Sequence, residues 1–163
     1  MADRSVTDSQ PQSRTQEATG GAQGVPVSPS ELAPRKSPRS RASAKKAGSS
    51  FERSIVDWLA KHIDDRIDRR VKNGAKDRGD IGGVRHMGGR VVIEAKDYGG
   101  RLMPGPWVAE AETERGNDDA TVGLVIAKRR GTTDPGQQFV LMTVNDLAAL
   151  LTGNRDHIDQ EAP

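Results

Sequence analysis

Asp80, Glu94 and Lys96 are the residues of this chain whose types and spacing could do chemistry. Glu94 and Lys96 lie two apart in the β-branched run Arg90-Val91-Val92-Ile93-Glu94-Ala95-Lys96, which reads as a strand. Side chains alternate along a strand, so these two share a face while Ile93 and Ala95 take the other. Composition alone yields roughly one acid-x-Lys triplet in such a chain, so placement, not occurrence, carries the weight. The pairing of the preceding segment, Gly79 to Arg85, decides whether Asp80 joins them. A three-residue Met87-Gly88-Gly89 loop pairs His86 with Arg90, sets Gly82 opposite Glu94, and sets Asp80 opposite Lys96 on the same face. A two-residue Gly88-Gly89 loop sends Asp80 to the opposite face unless a bulge corrects the parity.

Two carboxylates converging on one face form a hard-cation site suited to Mg²⁺, with Mn²⁺ able to substitute. Lys96 beside them could orient or deprotonate an attacking water, or stabilise charge on a pentavalent phosphate. That is the equipment for phosphodiester hydrolysis. The plainer reading is a surface hairpin in which Asp80 and Lys96 pair across the strands, worth about a few tenths of a kcal/mol.

The elements that must position this trio follow from periodicity. Phe51, Ile55, Trp58, Leu59, His62 and Ile63 fall on one helix face. Ser49-Ser50-Phe51-Glu52 is a capping-box pattern, so a helix is expected from near Ser50, ending before Asn73-Gly74 or breaking into a short strand around Arg66–Val71. Glu52 at N3 of such a box would bind the backbone N–H of Ser49. Gly79–Arg85 is a glycine-weakened strand. Pro106 opens a second helix running to about Arg115, with Trp107 on its apolar stripe and Glu112 and Glu114 on an exposed face. Thr121–Ala127 reads as a buried central strand, Gln138–Thr143 as another, and Asn145–Leu151 as a closing helix. Trp58 and Trp107 are expected in the core, and Asp97 in a structural role on the face opposite Lys96.

The charge is unevenly placed. The chain has 163 residues, 25 Lys+Arg, 23 Asp+Glu and a net charge of +2. Residues 1–48 hold eight basic and four acidic residues and no aromatic, leaving 17 basic and 19 acidic residues in 49–163. Rich in Ser, Pro, Gly and Gln, the first 48 residues bury too little apolar surface to offset ordering entropy, and a disordered arm is expected there. Its end, residues 34–46, carries six basic residues and no acid. Such a run attracts polyanions by counterion release, which favours nucleic acid. A merely solubilising tail is the plainer alternative, and a membrane-surface role lacks an amphipathic face or lipidation motif. The domains expected are thus the arm (1–48), an α/β domain (49–153) and a frayed tail (154–163). The 33% hydrophobic fraction is low for a fully folded chain and agrees with an unfolded part, and the absence of cysteine excludes a disulfide framework and Cys-ligated metal sites. No apolar run approaches a membrane span and the N-terminus lacks a secretory h-region, so a cytoplasmic, DNA-associated location is expected.

The run Gly79-Asp80-Ile81 followed by Val91-Val92-Ile93-Glu94-Ala95-Lys96, flanked by helices in this order, resembles the PD-(D/E)xK nuclease superfamily over roughly residues 50–127. Gly79 stands where that motif has proline. The resemblance implies a restriction-endonuclease-like αβββαβ core, a mixed sheet flanked by helices, using Asp80, Glu94 and Lys96 with one or two divalent metals to cut DNA. Glu52 early in the first helix, the stretch Glu110–Asn117 and the run Lys128-Arg129-Arg130 are similar to small Holliday-junction resolvases. There a first-helix Glu completes the metal site, so Glu52 is open to two readings, cap and ligand. The resemblance implies a Mg²⁺-dependent, homodimeric endonuclease acting on branched DNA in recombination or repair. A restriction-type or repair nuclease, and a non-catalytic nucleic-acid-binding protein, are the alternatives. Lys76, Arg78, Arg101, Lys128, Arg129 and Arg130, in loops bracketing the trio, are expected to grip flanking phosphates.

Overall fold

A computed structural model describes residues 40–72 and 74–159. The first 39 residues of the expected arm lie outside the described residues, as do the last four of the expected tail. The described part is a mixed open sheet with helices on both faces.

Helix α1 spans Arg41–His62, two turns longer at its start than the capping-box pattern implied. Ser40, extended at φ −63° and ψ 154°, caps it by accepting from the Ser43 amide at 3.2 Å. The reason lies in Arg41-Ala42-Ser43-Ala44-Lys45-Lys46-Ala47, mostly strong helix formers that carry the helix through Ser49 without a break. Arg41, Lys45 and Lys46 are therefore exposed cations on a helix rather than part of an arm. The lower half of α1 buries Phe51, Ile55, Val56 and Leu59 against the sheet, each side chain contributing roughly 1.5–3 kcal/mol.

Among the described residues six strands follow: β1 (Asp68–Arg69), β2 (Ile81–Gly82), β3 (Arg85–His86), β4 (Gly89–Lys96), β5 (Val122–Ala127) and β6 (Phe139–Leu141). The sheet runs β1-β2-β4-β5-β6, with β3 also pairing β4. β4 and β5 are parallel, joined by α2 (Pro104–Asn117), and the other pairs are antiparallel. α3 (Val144–Thr152) and α4 (Asp156–Asp159) close the chain. Alternation on the central strands sorts the layers. Val91, Ile93, Leu124 and Ile126 pack with α1 and with Ala149 of α3, while Val125 and Ala127 pack with Trp107 and Ala111 of α2. At Gly123 the α2 backbone comes so close that a Cβ would lie 2.7 Å from the Ala111 carbonyl oxygen.

The hairpin register departs from the expected one. His86 pairs with Gly89, not Arg90, because the turn is the two-residue Met87-Gly88 with φ of 48° and 87°, the double-positive type I′ geometry. That turn alone would put Asp80 on the wrong face. A bulge restores it. Arg85 pairs Arg90 but Ile81 pairs Ile93, so Gly82, Gly83 and Val84 lie opposite only Val91 and Val92. Gly83 takes φ +86°, and a Cβ there would sit 2.5 Å from the Arg66 carbonyl oxygen. Continuing the Ile81–Ile93 register one step sets Asp80 across from Glu94, rather than across from Lys96.

The segment after Gly153, expected to fray, is pinned in its described part. Arg155 donates to Asp146 Oδ1 at 2.7 Å and to the Thr121 carbonyl at 3.2 Å, tying α4 to the sheet. Among the described residues no helix is long and apolar enough to cross a membrane.

Candidate active site

Strand β4 brings Glu94 and Lys96 onto the α2 side of the sheet. Glu94 is only 3% exposed and Asp80 4%, so both carboxylates have left water at a cost that a surface hairpin would not incur. Asp80 is held from two sides. Its Oδ2 accepts from the Ala95 backbone amide at 3.0 Å, and its Oδ1 lies 2.6 Å from Lys72 Nζ. Lys96 Nζ donates to Glu94 Oε1 at 2.8 Å and to Glu110 Oε2 at 2.6 Å. The cross-strand Asp80–Lys96 pair of the plainer reading is replaced by these contacts.

Helix α2 supplies what the sequence reading missed. Glu114, expected on an exposed face, is 6% exposed. Carboxylate oxygens of Glu94, Glu110 and Glu114 lie within 4.8 Å of one another. Oε2 of Glu114 is buried with no hydrogen-bond partner, a state that normally calls for a ligand or water. The signal was present: Trp107, Ala111 and Glu114 fall at i, i+4 and i+7, on the buried stripe, and Glu110 and Glu114 share a face four apart. Glu112 instead pairs with Arg115 at 2.7 Å.

The electrostatics follow from crowding acids in a dry place. Burial, then the charge of Asp80, pushes the Glu94 carboxyl up to about 8 despite Lys96 beside it. Burial and the charge of Glu110 push Glu114 up to about 7. Burial opposes the Lys96 ammonium, but the hydrogen bonds it donates to Glu110 and Glu94 prevail and hold it above its ordinary value. Lys96 is therefore a fixed cation and not, in this arrangement, a base for water. Lys72 behaves alike: burial opposes its charge, the Asp80 hydrogen bond prevails, and its value is raised.

Glu52 is not at a helix start but in the fourth turn of α1, which removes the capping reading. Its carboxylate pairs with Arg69, and it is outside the Glu94–Glu110–Glu114 group, although its charge reaches Lys72. Among the expected phosphate contacts, Lys76 is exposed at the end of a short 3-10 helix, Gly74–Lys76, and Arg101 is exposed in a loop. Arg78 lies 3.8 Å from Asp118 with its side chain 57% exposed. Lys128 is turned inward, donating to the Thr132 carbonyl at 2.8 Å and lying over the Phe51 ring, so it braces its loop rather than presenting a free charge. Arg129 and Arg130 are exposed.

Three acidic side chains within reach of one ion, one with a buried unpartnered oxygen, are a donor set that fits a divalent hard cation. No protein-family model, curated protein or solved structure matches this chain.

Proposed function

We propose that this protein is a divalent-metal-dependent DNA endonuclease, acting through Asp80, Glu94 and Lys96 with Glu110 and Glu114 added from α2. The observation that carries the reading is the carboxylate group of Glu94, Glu110 and Glu114 surrounding Lys96, with the Glu114 oxygen unpartnered. Support comes also from the element order, helix, the antiparallel strands β1, β2/β3 (both pairing β4) and β4, helix, parallel strand, which matches the order the nuclease resemblance implies once β2 and β3 count as one bulged strand. Glu94, Glu110 and Glu114 would hold Mg²⁺ or Mn²⁺, with Asp80 adjacent. The cation when bound supplies Lewis-acid polarisation of the scissile phosphate and acidifies a coordinated water.

The chain's own residues do the rest. The Ala95 amide and Lys72 fix the Asp80 carboxylate in one orientation. Glu94 and Glu114, which burial makes hold their protons toward neutral pH, would have to give those protons up in order to hold a cation. Lys96, permanently charged, places its ammonium where negative charge grows on the phosphate in the transition state. Branched DNA, cut in pairs by a homodimer, is the substrate arrangement proposed from the resolvase likeness. Glu52 stays an outer candidate, reaching the site only if Arg69 releases it.

A second reading has its own observation. Lys96 and Lys72 already neutralise Glu94, Glu110 and Asp80, as they would in a non-catalytic nucleic-acid-binding module. A labelled four-way junction and a linear duplex, each incubated with Mg²⁺ or Mn²⁺, separate the two. Cleavage by the wild type, lost in Asp80→Ala and Lys96→Ala with binding retained, is the expected result. Binding without cleavage under either metal favours the module. Cleavage that persists in Asp80→Ala removes the site from this account.

A further inference from the structure

Two lysines reach the buried acids, and they are held in different ways. Lys96 is gripped by two carboxylates, and its side chain is only 12% exposed. Lys72 meets the acids at one point: its Nζ lies 2.6 Å from Asp80 Oδ1, with the side chain 61% exposed. Its backbone is as loosely placed. The last sheet pair of β1 is Arg69 with Ile81, and the Arg70 amide still donates to the Asp80 carbonyl at 2.8 Å. Beyond that anchor Val71 and Lys72 belong to no strand or helix, and both are exposed.

The asymmetry is one of solvation. The Asp80 side chain is 3% exposed, so its carboxylate cannot regain water when its cation leaves, and a buried charge left unpaired is strongly unfavourable. The Lys72 ammonium is mostly in water already and loses little by letting go. Asp80 therefore needs a cation, but not this one. Its Oδ2 is taken by the Ala95 amide, which leaves Oδ1, the oxygen under Lys72, open to a metal. The charges of Glu94 and Glu52 act on the Lys72 ammonium as well as that of Asp80. It sits in the field of three acids, as a divalent ion on Asp80 would.

We propose that Lys72 is a tethered cation that occupies Asp80 Oδ1 in the metal-free protein and is displaced from it when a divalent metal loads. The inference rests on the metal-dependent reading above and deepens it, naming the group with which the metal must compete. The exchange is of one cation for another on the same oxygen. The Lys72–Asp80 hydrogen bond breaks, the ammonium turns into solvent still protonated, and the metal takes the freed oxygen. Such a competitor raises the metal concentration at which the site fills, and it spares the metal-free protein a stranded buried carboxylate. Lys96, held by both Glu94 and Glu110, stays in place throughout.

Mn²⁺ binding to the full chain, read from the paramagnetic resonance of the free ion, tests this without any cleavage. Lys72→Met removes the charge and keeps the stem. It is expected to bind Mn²⁺ about tenfold tighter than wild type, the lower end for a charged hydrogen bond that no longer has to be broken, as suits an exposed lysine. Lys72→Gln, whose amide can still donate to Asp80, should also bind tighter, and it serves if the Met variant fails to fold. Lys76→Met removes the same charge from an exposed lysine nearby in sequence and should stay within about twofold of wild type. Thermal midpoints give a second readout. The loss that the Lys72 variants show in EDTA should disappear at saturating Mn²⁺, where Asp80 has its metal in either chain. A purely structural ion pair predicts the same loss with and without metal. That result, or an equal gain in Lys76→Met, overturns the proposal. Wild-type Mn²⁺ binding that both Lys72 variants leave unchanged or weaken refutes this proposal alone. No Mn²⁺ binding by any of these chains refutes the metal reading, and this proposal with it.

Discussion

Replacing Glu114 by Gln should make the metal-free protein more stable while weakening its response to metal. Glu114 is buried beside Glu94 and Glu110, and its carboxyl is raised from 4.5 to about 7. Between those values the folded chain holds a proton that the unfolded chain releases. Its contribution is thus undiminished below about pH 4.5, and stability falls as pH rises toward 7. At roughly 1.4 kcal/mol per pH unit the full shift corresponds to about 3 kcal/mol. Protons shared with Glu94 reduce the part that one residue controls to about 1–2 kcal/mol. Gln cannot ionise, and its amide can donate to the neighbouring carboxylates. Urea denaturation in EDTA should therefore show Glu114→Gln about 1–2 kcal/mol more stable than wild type at pH 8, with the two nearly equal at pH 4.5. Added Mn²⁺ should raise the wild-type transition at pH 8 and raise that of the variant less. A variant less stable than wild type at pH 8, or with the same gain at both pH values, refutes the argument that burial and crowding strain this carboxyl.

Three further outcomes follow from particular contacts. Gly83→Ala should lose about 2–4 kcal/mol by urea denaturation, since it forces a non-glycine residue into φ +86° and drives a Cβ to 2.5 Å from the Arg66 carbonyl. Arg155→Ala leaves Asp146, 1% exposed, without its cation; a loss of about 3–5 kcal/mol is expected, with the thermal midpoint as readout. Removing residues 1–39, which hold five basic and four acidic residues, should weaken DNA binding and reduce its salt slope while leaving cleavage chemistry intact; an unchanged slope would show that segment plays no electrostatic part.

What the sequence made legible, and what it did not, separates along physical lines. The β-branched run Val91–Ile93 and the apolar run Val122–Ile126 announce buried strands because both faces are covered by helices, and they are found within a residue of the expected limits. The convergence of Asp80 with Glu94 was conditional on a register. Its turn came out one residue shorter than expected, and the parity was recovered by a bulge at a glycine whose need was tertiary, the close approach of Arg66. Glu114 was misplaced because a glutamate on a helix is by default solvated, and only its position on the Trp107–Ala111 stripe argued otherwise. The start of α1 was hidden by a local cap pattern at Ser49 that good helix formers on its N-terminal side overrode. Lys72, the cation on Asp80, lay in an irregular segment with no periodicity to place it.

The metal-concentration dependence of single-turnover cleavage tests the central claim most directly. The substrate is a labelled four-way junction at pH 8, with Mn²⁺ varied for the wild type and for Glu94→Gln. The account predicts a saturable rise with Mn²⁺ in the wild type, and in Glu94→Gln a rate lower by about a hundredfold or more or a saturation point displaced to much higher metal. Wild-type cleavage that needs no divalent metal, or a Glu94→Gln curve that superimposes on the wild type, would contradict it.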